Sequence, residues 1–331
     1  MKTERLRLLV GALVACFLLP AVTVAQEKLV LGYTNFQGAK IPVPVGKEAG
    51  LFGKHGLELA FVRVTPGHTA IPKLLSGEIH IFLGNGAPVV KAIVKEQAKL
   101  AIVASLGEDS FELVGRAPIR TAEGLKGKRV GISNIDSSAD RIARLALKSL
   151  GLEPGRDVQL VATGLSESRG RLELVVKGEL DATVVSTENV VALGERRAAI
   201  FPLAELEHLG IYVSGADLSV SRSLIEHRRE TLKRFLSALI DAIGKAKEDL
   251  DLTRRIYRQY AKVTDPLALE WRVREFLPGR IPKIPYPNRR AIESYLQEAG
   301  ARDSTSVEAV ADFTMLQEIV GYEKPKIGLP R

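Results

Sequence analysis

Residues 75–81 read Leu-Ser-Gly-Glu-Ile-His-Ile, and residues 176–182, offset by 101, read Val-Lys-Gly-Glu-Leu-Asp-Ala. Each is the end of a helical stretch, a glycine that stops it, and the opening of a short apolar strand. Two further matches keep nearly that offset. Gly50-Leu51 and Gly151-Leu152 each close a helical stretch, 101 apart, and Gly32 and Gly131, 99 apart, each sit in an apolar strand. Gly–Leu and Gly–Glu turns are common, so one match alone says little. Three at nearly one offset imply two similar lobes.

Outward from the first copy, short apolar strands alternate with helices. Strands are expected over 28–32, 57–64, 79–83 and 100–105, and helices over 41–49, 69–76 and 87–95. That alternation implies βαβ units around a mainly parallel sheet. A strand over 128–133 starts the second lobe. From about Ser221 the pattern turns helical, over 224–246, 251–261, 288–299 and 307–318, with a Pro-rich stretch (Pro278, Pro282, Pro285, Pro287) in between. This tail has too few strands for a third lobe and is expected to pack on lobe one.

The chain has 331 residues, 46% apolar and 26% charged, which excludes wholesale disorder and leaves ample length for a core. Five His and one Cys exclude zinc-finger and iron–sulfur readings, so no cofactor and no metal is expected. The net charge of +8 comes from Lys and Arg interleaved with acids along the chain, as in Glu323-Lys324. Dispersed charge is a solvated surface and not a nucleic-acid footprint.

The N-terminus carries Lys2, Arg5 and Arg7, then an apolar run from Leu8 to Leu19, Pro20, and Thr23-Val24-Ala25. This is the three-part pattern of a secretory signal peptide over 1–25, cleaved near Ala25. The run is shorter than the ~20 residues that span a bilayer. Leu13-Val14-Ala15-Cys16 resembles a lipobox, but Phe17-Leu18-Leu19 stay apolar after the cysteine. The expected location is therefore periplasmic.

Catalytic signatures are missing: no GxSxG, HExxH or GxxxxGK[ST] occurs. What the sequence supplies is a ring of small polar loops at strand carboxyl ends, where open α/β sheets bind ligands. The candidates are Thr34, Asn35, Phe36 and Gln37; Gly67, His68 and Thr69; Asn85, Gly86 and Ala87; Ser105; Ser137 and Ser138; and Thr187, Glu188, Asn189 and Asp217. Phe36 offers a stacking face. Ser137 is a good N-cap with Asp140 at N3, and the same helix start could hold an anion. Glu188 and Asp217 would instead favour amino groups. Which of Asp140, Arg141, Glu188 and Asp217 faces the cleft is left open.

Lys47-Glu-Ala-Gly-Leu-Phe-Gly-Lys-His-Gly-Leu-Glu-Leu59, residues 74–81, Leu125-Lys-Gly-Lys-Arg-Val-Gly-Ile132 and residues 211–221 resemble the periplasmic substrate-binding proteins of ABC importers. The branch is the one for nitrate, sulfonates, taurine and thiamine-pyrimidine precursors, and the similarity covers nearly the whole chain after the leader. The resemblance implies an α/β, type II periplasmic-binding-protein fold: two α/β lobes joined by two crossing strands, with the helical C-terminal tail on lobe one. It implies lobe one over 26–112 and 215–331 and lobe two over 113–214. It also implies a monomer that binds a small-molecule ligand, closes, and docks on an ABC permease in the inner membrane, without catalysis. The alternative is an enzyme of the pyrimidine-synthesis or lyase type, like the thiamine-pyrimidine synthase of the same branch, with His68 as base or donor. That relative uses a cysteine-rich iron motif, which this chain lacks.

Overall fold

β-branched and aliphatic runs make strands here, and Pro, Ser or Asp opens helices that glycine closes. The computed structural model describes residues 26–65, 67–135, 137–165, 167–214 and 216–321. The leader expected over 1–25, with Cys16 and the cleavage point at Ala25, lies outside the described residues. Among the described residues no helix is long and apolar enough to cross a membrane.

The strands are β1 (Glu27–Tyr33), β2 (Leu57–Arg63), β3 (Ile81–Gly84), β4 (Leu100–Ser105), β5 (Phe111–Arg116), β6 (Arg129–Ile132), β7 (Gln159–Ala162), β8 (Ala182–Ser186), β9 (Ile200–Glu205) and β10 (Asp217–Ser221). They form two five-stranded sheets, ordered β2-β1-β3-β10-β4 and β7-β6-β8-β5-β9. β1 is parallel to β2 and β3, and β6 to β7 and β8. β10 is antiparallel to β3 and β4, and β5 to β8 and β9. The two orders are one pattern, with β10 filling in sheet one the slot that β5 fills in sheet two. The segments that carry the chain between sheets run side by side. Leu106 N–H donates to Ala216 O at 3.0 Å, and Asp109 N–H to Val213 O at 2.9 Å.

The repeat seen in the sequence has a steric cause. Gly32 pairs with Phe82 and Gly131 with Thr183. A Cβ on Gly32 would lie 2.7 Å from Ile79 Cδ1, and one on Gly131 would lie 2.3 Å from Leu180 Cδ1. Each glycine makes room for the apolar side chain that leads into the neighbouring strand. Gly77 and Gly178 both adopt φ +79°, a left-handed conformation that lets the preceding helix end without strain.

The larger core joins sheet one to helices Pro42–Glu48, Arg229–Glu248 and Leu250–Tyr260 through Leu31, Ile81, Val103, Phe235, Leu239 and Tyr257. Lobe two has a separate aliphatic core around Val130, Ile132, Leu147 and Val184. The tail packs on lobe one, with Leu269, Phe276, Leu277 and Met315 in the first core and Tyr295 against Val90 and Ile102.

Three features of the tail differ from the sequence expectation. The helix expected over 224–246 is two, Arg222–His227 and Arg229–Glu248, the first capped by Ser221 Oγ accepting from Leu224 N–H at 3.2 Å. Instead of one helix over 307–318 there is a short turn, Val307–Ala309, and a helix, Thr314–Ile319. The chain between them straightens to pair with β4: Ile102 N–H donates to Val310 O, and Asp312 N–H to Ile102 O. An unforeseen helix starts at Pro266, with Asp265 as its cap, and runs to Arg280 through a π turn over Arg272–Phe276.

Candidate functional site

The loops at the carboxyl ends of β1, β2 and β3 face those after β6, β7 and β8, and a cavity of about 920 Å³ lies between them. Lobe one contributes Thr34, Asn35, Gln37, Gly38, Lys40, Gly67, His68 and Asn85. Lobe two contributes Ser137, Ser138, Glu167, Arg169, Arg171, Ser186, Glu188 and Asn189. Asp109, Ser110 and Val213 come from the crossing segments, and Lys262, Trp271, Arg272 and Phe276 from the tail.

Ten of the residues singled out in the sequence therefore meet at one cavity: Thr34, Asn35, Gln37, Gly67, His68, Asn85, Ser137, Ser138, Glu188 and Asn189. Several are shaped by local hydrogen bonds. Asn35 Oδ1 accepts from Gln37 N–H and from Lys40 Nζ, both at 3.1 Å. Asn85 Oδ1 accepts from Ala87 N–H at 2.8 Å. Asn189 Nδ2 donates to Ser168 Oγ and Ser186 Oγ, both at 2.9 Å. Ser137 Oγ accepts from Asp140 N–H at 3.1 Å, the capping bond its position predicted. Asp140 itself turns away to pair with Arg144 at 2.7 Å, and Arg141 pairs with Glu298; neither lines the cavity.

Phe36, Thr69, Gly86, Ala87, Ser105, Thr187 and Asp217 are not among the lining residues. Phe36 is buried in an aromatic cluster, stacked on Tyr33 with centroids 4.1 Å apart and packed on Phe61 and Tyr260. Its apolar ring gains more from that cluster than from a wet cleft. Asp217 is fully buried behind the cavity, where its carboxylate accepts from Ser105 Oγ at 2.5 Å, Ser214 Oγ at 2.7 Å and Gly86 N–H at 2.9 Å. Burial pushes its pKa up to about 6 against the pull of those bonds. Of the four charged residues left open, Glu188 is the one in the cavity wall. Thr187 holds a second buried carboxylate, Glu112.

The charged groups that matter most at the cavity were not legible beforehand. Lys40 is buried, and desolvation pushes its pKa down against the attraction of Asp109. Burial raises the pKa of Asp109, opposed by Lys40 and Arg272. Asp109 fits because Gly38 has no side chain: a Cβ there would lie 2.3 Å from Asp109 Oδ1. Burial also raises the pKa of Glu188, and Arg272 opposes it. Glu188 and Arg272 form an ion pair between lobe two and the tail. The sequence signal for Arg272 was present in Asp265-Pro266, an N-cap followed by proline at N1, but the following prolines masked a helix of this length.

The arrangement can enclose an organic molecule, with hydroxyls and amides from both lobes, apolar walls at Phe82, Phe111, Trp271 and Phe276, and cations close to carboxylates. It is a hydrogen-bonding and ion-pairing chamber of the size that takes small ligands.

A family model described as NMT1/THI5 like matches residues 37–250. No curated protein sequence matches the chain. Among solved structures, the alkanesulfonate-binding protein SsuA from Xanthomonas axonopodis pv. citri, bound to MOPS, is 22% identical with a TM-score of 0.60, over 82% of this chain and 91% of that one. The periplasmic aliphatic sulphonate binding protein SsuA from Escherichia coli is 17% identical with a TM-score of 0.68, over 86% and 92%. The desulfurization enzyme DSZB is also 17% identical, with a TM-score of 0.67, over 88% and 99%. At these identities the likeness is one of fold: two α/β lobes of the periplasmic-binding-protein type.

Proposed function

We propose a function for this chain from one premise: it belongs to the NMT1/THI5-like family. The protein is an extracytoplasmic solute-binding protein. It takes a small polar or anionic organic molecule between its lobes, closes on it, and hands it chemically unchanged to an ABC importer in the inner membrane. The observation that carries this is the cavity, walled by polar loops of both sheets and flanked by two crossing segments about which the lobes can hinge. The sulfonate-binding neighbours support it. Residues 1–25, read as a signal peptide, support export. We assign lobe one to 26–112 and 215–331 and lobe two to 113–214, in a monomer. Thr34, Asn35, Gln37, His68, Asn85, Ser137, Ser138 and Asn189 are assigned to the ligand.

The test is mass spectrometry of whatever co-purifies with the protein from its own source, followed by thermal shift and small-angle scattering with that solute. At one hundred times its dissociation constant a ligand adds about 2.7 kcal/mol of stability. Closure should reduce the radius of gyration. A protein that carries no solute, and neither stabilises nor closes with any, would sink the reading.

A second reading has one observation behind it: the enzyme DSZB shares the fold, and His68 lines the cavity. It makes His68 a base. Recovery of the solute with its mass unchanged, and a His68→Ala variant altered in affinity alone, is the outcome expected under the first reading. A solute recovered chemically altered selects the second.

A further inference from the structure

Arg272 is a buried cation in the cavity wall. Its side chain is 3% exposed and sits in the π turn Arg272–Phe276. Such turns open a helix by one residue and recur at functional sites. Trp271 and Phe276 flank it, their rings 5.5 Å apart, and both also line the cavity. The Tyr257 ring lies 5.2 Å from the guanidinium carbon and fixes the group from the tail side. Nη2 meets Glu188, which reaches over from lobe two. Nε and Nη1 are buried and have no hydrogen-bond partner among the described residues.

Buried N–H groups of a charged side chain without acceptors are costly and therefore rare. The neighbouring carboxylates are not short of donors: Asp109 takes a backbone N–H from Ala39 and faces Lys40, and Glu188 has Arg272. Two N–H groups of Arg272 are left without acceptors, so a solute that completes them brings oxygens.

We infer that Arg272 receives the acidic group of the bound solute, and that the Glu188 carboxylate stands in the place this group takes. The solute is an organic anion: a carboxylate or sulfonate head at Arg272, and an apolar body against Trp271 and Phe276. Binding exchanges one anion for another at the guanidinium and sends Glu188 toward solvent. This inference rests on the solute-binding reading and deepens it.

Calorimetric titration with two matched pairs tests it: benzenesulfonate against benzenesulfonamide, and benzoate against benzamide, on wild type, Arg272→Met, Arg272→Lys and Glu188→Gln. At least one acid is expected to bind wild type ten times more tightly than its neutral partner, and to lose at least tenfold in Arg272→Met. Glu188→Gln should bind that acid at least threefold more tightly while its own melting temperature falls, since the rival anion and the ion pair go together. A purely structural ion pair would lower affinity and stability together. If Arg272→Met does not fold, Arg272→Lys and Glu188→Gln carry the test. The inference is overturned if the neutral members bind as well as the acids, if no acid binds, or if Glu188→Gln weakens acid binding. A neutral or cationic solute recovered from the native protein would overturn it while leaving the solute-binding reading intact. A protein that binds nothing and never closes removes both.

Discussion

Lobe one and lobe two share a strand order, yet equivalent positions in them are held differently. Phe36, three residues beyond β1, is 2% exposed and wedged among aromatic rings. Ile135, three residues beyond β6, is 68% exposed. On the antiparallel strands, Asp217 lies opposite Gly84 and Glu112 opposite Val185, and both carboxylates are buried. Asp217 holds the Gly86 N–H, while Glu112 bonds the Thr187 hydroxyl, 101 residues further on. At the strand entrances, His80 Nδ1 accepts from Val30 N–H at 3.0 Å, and Asp181 Oδ2 from Arg129 N–H at 2.9 Å. In both lobes the backbone of that pair closes the second bond. The lesson is that the duplicated backbone preserved roles, such as an acceptor at a given point, and left the residue type free to change.

The largest test of that contrast is Phe36→Ala against Ile135→Ala. The first should destabilise by about 4 kcal/mol, the second by no more than about 0.5, read from urea unfolding. Equal losses would erase the distinction between an anchored and an unanchored loop.

Next come the two carboxylates. Asp217→Ala leaves two hydroxyls and one N–H without their acceptor and should cost about 3 kcal/mol; Glu112→Ala should cost about 1. Similar values would mean that the two serve their sheets equally.

The paired glycines should respond alike, which sharpens the other side of the comparison. Gly32→Val and Gly131→Val each force an apolar neighbour out of place, at about 2 kcal/mol. Adding Ile79→Ala to the first, or Leu180→Ala to the second, should cost less than the separate effects predict. Additive double mutants would show that the glycines matter for another reason.

The smallest effect is in pH. Burial, then Arg228, holds the His80 pKa below its ordinary value, so the fold favours neutral His80. Its contribution is complete above about pH 6.5 and is lost as pH falls below that. Burial raises the pKa of Asp181, but bonds from Arg129 and the charges of Arg129 and Arg116 outweigh it and bring it down. Its contribution persists until pH falls below about 4. Asp217 works the other way: with its pKa near 6, falling pH between about 6 and 4 adds stability. Melting temperature should therefore decline slightly from pH 7 to pH 6 in wild type and stay flatter in His80→Gln. An unchanged slope in that variant would remove His80 from the account.

Much of the frame was legible in the residues. Glycines at one offset reported the duplicated lobes because a missing Cβ is a steric requirement of the backbone, and polar βα loops reported the cavity because strand ends converge there. Side-chain direction was not legible. Phe36 and Thr187 stand beside lining residues but point elsewhere, and adjacent positions in a loop carry no periodicity to say which. Lys40, Asp109 and Arg272 were hidden for a related reason. The charged groups they face lie between about 70 and 230 residues away in sequence, and the π turn that sets Arg272 leaves no local pattern.

The place of β10 in sheet one also bears on how the molecule is made. Sheet two draws on one uninterrupted stretch, Phe111–Glu205, whereas the gap between β3 and β4 waits for a strand that begins at Asp217. For a chain emerging from its first residue, closing that long excursion carries the larger entropic penalty and the slower search. The half that starts first is thus the half that finishes last, and until Ser221 arrives it exposes two unpaired strand edges.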